Sequence, residues 1–191
     1  MFKPTVRFIK DIGKNVDETN AMLDRVKALS NIQVLVGIPE EKSGRKSGGV
    51  NNAELLYIHT HGSPLHRIPK RPVIEPAIEA EDNKANITED LGNAARSALD
   101  GKTQETMTHL NEAGMTGQNA ARAWFEDSRN GWPKNTEETA KRKLNKLQGK
   151  NKQRFNEQIS AGASITDSDV SRPLVDTGQL RKAIVYVVKN G

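Results

Sequence analysis

Two short stretches of this chain alternate as strands do, and they lie far apart. IQVLVGI is the clearer: Ile32, Val34, Val36 and Ile38 recur with period two and point one way. Pro39 stops it, because proline brings no ladder donor. The other is AIVYVVK, with Ile184, Tyr186 and Val188 on one face and Val185 and Val187 on the opposite one. Apolar residues on both faces predict a strand packed on two sides. A weaker alternation, Val6 and Phe8 in TVRFIKD, predicts a further short strand. Most of the remainder reads as helix or polar loop, so the pattern as a whole predicts an α+β domain.

The helical readings follow from spacing and punctuation. Ile12, Val16, Thr19, Leu23, Val26 and Leu29 recur at threes and fours, one face of an amphipathic helix that ends at Ser30-Asn31. Asn51 and Glu54 form a capping-box pair before AELLYIH, and Gly62 is placed to end that helix in a left-handed conformation. A helix is expected from near Pro76, with the stripe Ile74, Ile78, Ala85, Leu91, Ala95 and Leu99 and a stop at Gly101. Thr103 caps the next, running to about Ser128, whose face is Met107, Leu110, Gly114, Gly117, Ala121 and Trp124. Each mid-helix glycine costs about 1 kcal/mol relative to alanine. Two explanations stay open: close approach of another backbone, or a kink. Asn135 or Thr136 can cap a short basic helix, and Asp176 or Thr177 a turn through Gly178 to Lys182.

Two segments read as loops. Glu40 to Asn52 is polar, with three glycines, and reads as a mobile loop or hairpin tip. Gln148 to Ser171 is rich in Gly, Asn, Ser and Lys and reads as a long excursion. The 191 residues are therefore expected to form a single α+β domain with an extended basic insertion at about 144–171.

Composition narrows the function classes. Hydrophobic residues are 35% and aromatics 4%, a lean supply that predicts a modest core and surface left for partners. With no cysteine, disulfides, zinc–thiolate sites and cysteine nucleophiles are excluded. No run approaches the roughly 20 apolar residues that span a bilayer, and the first residues lack a signal-peptide pattern, so a soluble protein is expected. The +5 net charge is concentrated. Between Trp132 and Arg154, eight cations (among them Lys141, Arg142, Lys143, Lys146 and Lys150) face only Glu137 and Glu138. Such a segment suits nucleic acid, an acidic partner or plain water.

IHTHGSPLHRIPKRP, Ile58 to Pro72, holds three of the four histidines. On a helix His59 and His61 point about 200° apart and cannot share one metal. No Asp or Glu lies between Tyr57 and Val73 to complete a ligand set or act as base. HExxH, GxSxG and the phosphate-binding glycine loop are all absent. No catalytic or metal residue, and no cofactor, is therefore assigned. Ile68-Pro69 and Arg71-Pro72 stiffen the chain, since proline fixes φ and extends its predecessor. Arg71 offers a planar donor fork for a carboxylate or for the open carbonyls of a helix end.

Three ordered stretches carry a family likeness: YIHTHGSPLHRIPKRPVIEPAIE, NGWPKNTEETAKRK and RPLVDTGQLRKAIVYVV. The set resembles the tail-completion or neck proteins of long-tailed bacteriophages, also grouped as head–tail joining, tail component or virion morphogenesis proteins. The likeness spans about Ile32 to Val188. It implies a short antiparallel sheet packed by a long helix, with extended loops that order on assembly. It implies structural work in the virion neck or tail after assembly in the host cytoplasm, with no catalysis and no cofactor. The partners it implies are further copies in a ring, six-fold by expectation, and neighbouring neck, tail-terminator or tail-tube proteins. DNA passing through the ring is a possible non-specific contact, and no membrane is involved.

Under this resemblance Gly62, Pro69 and Pro72 belong to the connector into the long helix, and Asp176, Thr177 and Gly178 to the turn before the last strand. Arg45, Lys46, Arg67, Arg71, Trp132, Lys141, Arg142, Lys143 and Arg181 are the candidate partner-contacting residues. Two other readings stand beside this one. One is a DNA-binding module using 132–154; the other is a metal-dependent hydrolase using His59, His61 and His66.

Overall fold

The computed structural model describes residues 5–45, 49–166, 168 and 171–190, with the backbone alone for 5–15. The first elements are α1 (Thr5–Ser30), β1 (Ile32–Gly37), α2 (Glu40–Ser43), α3 (Asn52–His61), α4 (Ile74–Glu79) and α5 (Glu81–Leu99). There follow α6 (Thr103–Ala123), a 3-10 turn (Ser128–Asn130), α7 (Glu137–Leu144), α8 (Gly149–Ser160), α9 (Gln179–Ala183) and β2 (Val185–Asn190). β1 and β2 pair as a two-stranded antiparallel sheet, and a long helix packs against it, the α+β arrangement expected. By contact the chain divides into two compact units. Unit 1 comprises Met1–Leu35, Lys84–Thr116 and Tyr186–Gly191; unit 2 comprises Val36–Asn83 and Gly117–Val185.

In unit 1 the helix–sheet packing turns on one glycine. Gly114 of α6 lies directly beneath the Tyr186 ring of β2, so close that a Cβ there would overlap the ring. The Tyr186 hydroxyl reaches Asn111 Oδ1 at 3.3 Å, one turn earlier on α6. α6 runs unbroken through both of its glycines. At Gly114 the close approach therefore wins over the kink, and what approaches is an aromatic side chain. Leu110 and Ala113 are buried on the same helix, and Ala94 and Ser97 on α5. Gly101, at φ +76°, makes the turn between α5 and α6. The Arg25 guanidinium lies against it and donates to the Leu99 carbonyl at 2.9 Å, placing a cation at the C-terminal end of α5.

Unit 2 has its own core. Phe125, Ile184 and Val73 are fully buried, and Leu56, Ala77, Ala121, Trp124 and Leu180 pack with them. α3 opens with the predicted capping box: Asn51 accepts from the Glu54 amide, and the Glu54 carboxylate accepts from the Asn51 amide. Gly62 ends α3 with a positive φ of 74° but an extended ψ of 172°, short of a full left-handed cap. The extended ψ sends the chain into a tight hairpin in which Ser63 and Ile68 exchange both backbone hydrogen bonds at 2.9 Å.

Several expectations are corrected. Val6 and Phe8 lie in α1, because the helical spacing that follows them recruits the short alternating stretch into one continuous helix. α1 is amphipathic, yet Val16, Leu23 and Val26 are exposed, and among the stripe's described side chains only Leu29 is partly buried. The expected helix near Pro76 is two helices, broken at Ala80 (ψ 133°), where Asn83 Nδ2 takes up the Ala77 carbonyl at 2.8 Å. α6 stops at Ala123, not Ser128, and Asn130 Nδ2 takes the Trp124 carbonyl at 3.0 Å. Thr103 is the first residue of that helix instead of its cap.

β2 is open on one side, with Val187 exposed. The loop expected at Glu40 to Asn52 contains α2, and the buried Asn52 amide ties it down through the Gly44 carbonyl at 3.0 Å. Residues 46–48, Lys46 among them, lie outside the described residues. The excursion within 144–171 contains the helix α8, since Phe155 and Ile159, one turn apart, are partly buried on one side of it.

Candidate functional site

The residues that carry the sequence motifs converge in unit 2, and their donors are used within it. Trp132 Nε1 donates to the Pro72 carbonyl at 3.0 Å, and its ring meets Phe125 edge-on at 5.8 Å. Arg71 is only 7% exposed. Its Nε and Nη2 donate to the Pro133 carbonyl at 3.2 and 2.7 Å, and Nη2 also reaches the Lys134 carbonyl at 3.2 Å. Its backbone amide donates to the His59 carbonyl at 2.6 Å. The planar fork thus serves two loop carbonyls just ahead of α7, neither a carboxylate nor the open carbonyls of a helix end, the two uses expected from sequence.

Thr136 is the cap of α7, accepting from the Thr139 amide at 3.3 Å. Asn135, the other candidate, is buried and donates to the Ser171 carbonyl at 2.5 Å. Further along α7, Lys143 points inward, and its ammonium donates to the carbonyls of Arg172 and Val175 at 2.5 and 2.6 Å. The three stretches that carry the family likeness are joined by these bonds: the first to the second through Arg71 and Trp132, and the second to the third through Lys143, while Asn135 holds Ser171 just ahead of the third.

Beside the clamp lies a recess of about 200 Å³, lined by Arg45, His59, Arg71, Lys143 and Asp176, with Leu55, Leu174 and Leu180 supplying apolar wall. Arg45 stands at its edge and donates to Asn52 Oδ1 at 3.4 Å. Burial, the Arg71 charge and the Arg45 charge hold His59 well below the usual imidazole value, at about 4. Its Nδ1 is buried without a hydrogen-bond partner. Burial lowers Lys143 to about 8, against the opposing pull of Asp176 and with Arg71 and Arg142 adding to the depression. None of the three cations has a carboxylate within ion-pairing distance among the described residues.

The other candidate residues are distributed differently. Arg181 pairs with Glu126 at 2.6 Å. Lys141 and Arg142 are exposed on α7 and, with Lys146, border an open surface; Lys141 lies 3.5 Å from Glu137. Arg67 is exposed at the hairpin tip with φ 52°, near Leu65, which is 86% exposed. Gly178, at φ 72°, is the N-cap of α9 and makes the permissive turn expected of it. No side chain caps that helix in the usual way, though Thr177 Oγ1 lies 3.4 Å from the Gln179 amide.

His59 and His61 sit on α3, and His61 Nδ1 meets the Tyr57 carbonyl at 3.0 Å. Among the described residues no group of three or more His, Cys, Asp or Glu side chains is placed to hold a metal. Sequence reasoning missed His59 as an electrostatic element and Lys143 as an inward-facing one. The one readable signal was the position of Lys143, three residues after Ala140 and so within about 60° of the face that Ala140 buries. No family model, curated protein or solved structure matches this chain.

Proposed function

We propose that this chain is a structural protein of a tailed-phage virion, a ring-forming tail-completion or neck subunit at the head–tail junction. The observation that carries the reading is the use made of the motif residues. Arg71, Trp132 and Lys143 direct their donors to backbone carbonyls and tie the three family-like stretches together, and Asn135 holds the Ser171 carbonyl beside the third. Side chains committed in this way build a frame.

Exposed apolar side chains support the assembly part of the proposal. Val16, Met22, Leu23 and Val26 lie open on α1, and Val50, Tyr57 and Leu65 lie open in unit 2. A chain with few apolar residues that leaves these in water is suited to burying them against neighbours. Immunogold labelling of phage particles that contain the protein tests the reading. Label is expected at the head–tail junction or on the tail, and particles with label on the capsid alone, or with none, would refute it. Negative-stain images of the concentrated protein should contain rings.

Passing DNA is left with a smaller basic surface than the sequence suggests, because Lys143 faces inward. Lys141, Arg142 and Lys146 form its open part. If duplex binding is part of the function, Lys141→Ala with Arg142→Ala should flatten its salt dependence by about one unit of slope for each phosphate left unneutralised.

A further inference from the structure

Arg71 and Lys143 present an electrostatic imbalance. Arg71 is buried and Lys143 half-buried, both use carbonyl oxygens as acceptors, and among the described residues neither has an anionic partner within ion-pairing reach. Carbonyl dipoles satisfy donors but do not neutralise charge, and unneutralised buried charge is costly. Arg45 adds a third cation to the same recess, and among the described residues Asp176 is the one carboxylate that lines it. The wall is also selective in shape. Leu55, Leu174 and Leu180 suit an aliphatic stem behind a charged head, and about 200 Å³ admits the end of a side chain or of a peptide. A duplex phosphate on a rigid backbone does not fit such a recess.

We infer that this recess is a binding site for a carboxylate carried on a peptide, either an acidic side chain or a free chain terminus. The inference is independent of the virion reading and holds for any partner protein that presents such a group. Arg45, at the rim and held only by a long bond to Asn52, is the residue free to turn onto the incoming oxygen atoms. Arg71 and Lys143 supply the fixed positive field behind it. His59 is the internal reporter. It is kept neutral by burial and by the two arginines, and an arriving anion offsets their charge and makes its protonation easier. The charged groups facing it are Arg45, Arg71, Lys143 and, opposing them, Asp176.

The test is a titration of the folded protein followed by the imidazole carbon–proton signals of its four histidines. The probes are acetate, inorganic phosphate, an acetylated glutamate-containing peptide amide, and a peptide ending in a free carboxylate. Acetate should shift His59 saturably, leave His61 and His66 unmoved, and raise the His59 pKa from about 4. One of the two peptides should bind more tightly than acetate and thereby identify the source of the carboxylate.

Arg45→Gln, on a partly exposed side chain, should weaken acetate by about ten-fold or more, the loss of one charge-assisted hydrogen bond. Arg45→Glu should raise the His59 pKa without any added ligand and abolish the acetate response. No saturable shift at His59, an unchanged affinity in a folded Arg45→Gln protein, or tighter binding of phosphate than of acetate would each overturn the proposal.

Discussion

Unit 2 and unit 1 are stabilised by opposite means. Unit 2 surrounds a core of Phe125, Trp124, Ile184 and Val73 with a frame of polar clamps in which Arg71, Trp132, Asn135 and Lys143 reach backbone carbonyls. Among its described residues unit 1 buries mainly small or polar side chains, Ala94, Ser97, Thr106 and Ala113, with Leu110 the largest apolar group among them. It relies on the close fit of Gly114 under Tyr186 and leaves the apolar stripe of α1 in water. The difference teaches that a lean composition can be distributed unequally. Both leave some apolar side chains in water, but one region is braced by polar clamps while the other exposes a run of them along a single helix that a neighbouring molecule could cover.

The contrast can be broken most forcefully at Arg71. Arg71→Met removes the guanidinium and leaves the Pro133 and Lys134 carbonyls without their donor. Hydrogen bonds to charged groups are worth about 1.5–3 kcal/mol, so a loss of about 3 kcal/mol is expected in urea denaturation. A loss under about 1 kcal/mol would mean that the apolar core alone holds unit 2, and the clamp would lose its standing.

Gly114→Ala probes unit 1. Alanine gains up to about 1 kcal/mol in helix propensity, yet overpacking against Tyr186 costs about 1–3 kcal/mol, so the net change should be destabilising. The same substitution in a Tyr186→Ala background should be stabilising, because the ring that causes the overlap is gone. A stabilising effect in both backgrounds would contradict the close fit.

A smaller effect separates the electrostatics of unit 2 from its packing. The folded-state His59 value, about 4, lies below the ordinary 6.5. Between those two values the unfolded chain binds more protons than the folded one. Stability therefore rises with pH through that window and is lost as pH falls from 6.5 toward 4. His59→Asn should flatten this part of a plot of melting temperature against pH. An unaltered slope would place the acid sensitivity elsewhere.

The smallest effect on the subunit itself is expected at α1. Leu23→Ser, at a site that is 52% exposed, should change subunit stability by no more than about 0.5 kcal/mol. The same variant should reduce assembly measured by sedimentation velocity. If assembly is unaffected, the open stripe of α1 has some purpose other than contact between subunits.

Much of the local structure was legible in the residues alone. The Asn51–Glu54 capping box, a cap of α7 at Asn135 or Thr136, the alternation in β1 and the positive φ at Gly62 are signals contained within four or five residues. The misreadings share a cause. Val6 and Phe8 alternate over too short a run to outweigh the helix that follows them, and the breaks at Ala80 and Ala123 depend on Asn83 and Asn130 finding carbonyls six residues back. The candidate site was legible only in part. Arg71 stood out as a fork in need of acceptors, but its acceptors lie 62 and 63 residues further along the chain.

The sequence by itself determined where most helices and both strands form, that the basic charge is concentrated in one segment, and that cysteine chemistry is unavailable. These follow from nearest-neighbour sterics, periodicity and composition, which need no tertiary information. Only the tertiary structure decided which cation of the Lys141-Arg142-Lys143 triplet turns inward, that the predicted apolar face of α1 stays largely in water, and that His59 is held neutral beside two arginines. Charge, unlike helix propensity, takes its free energy from whatever the fold brings near it.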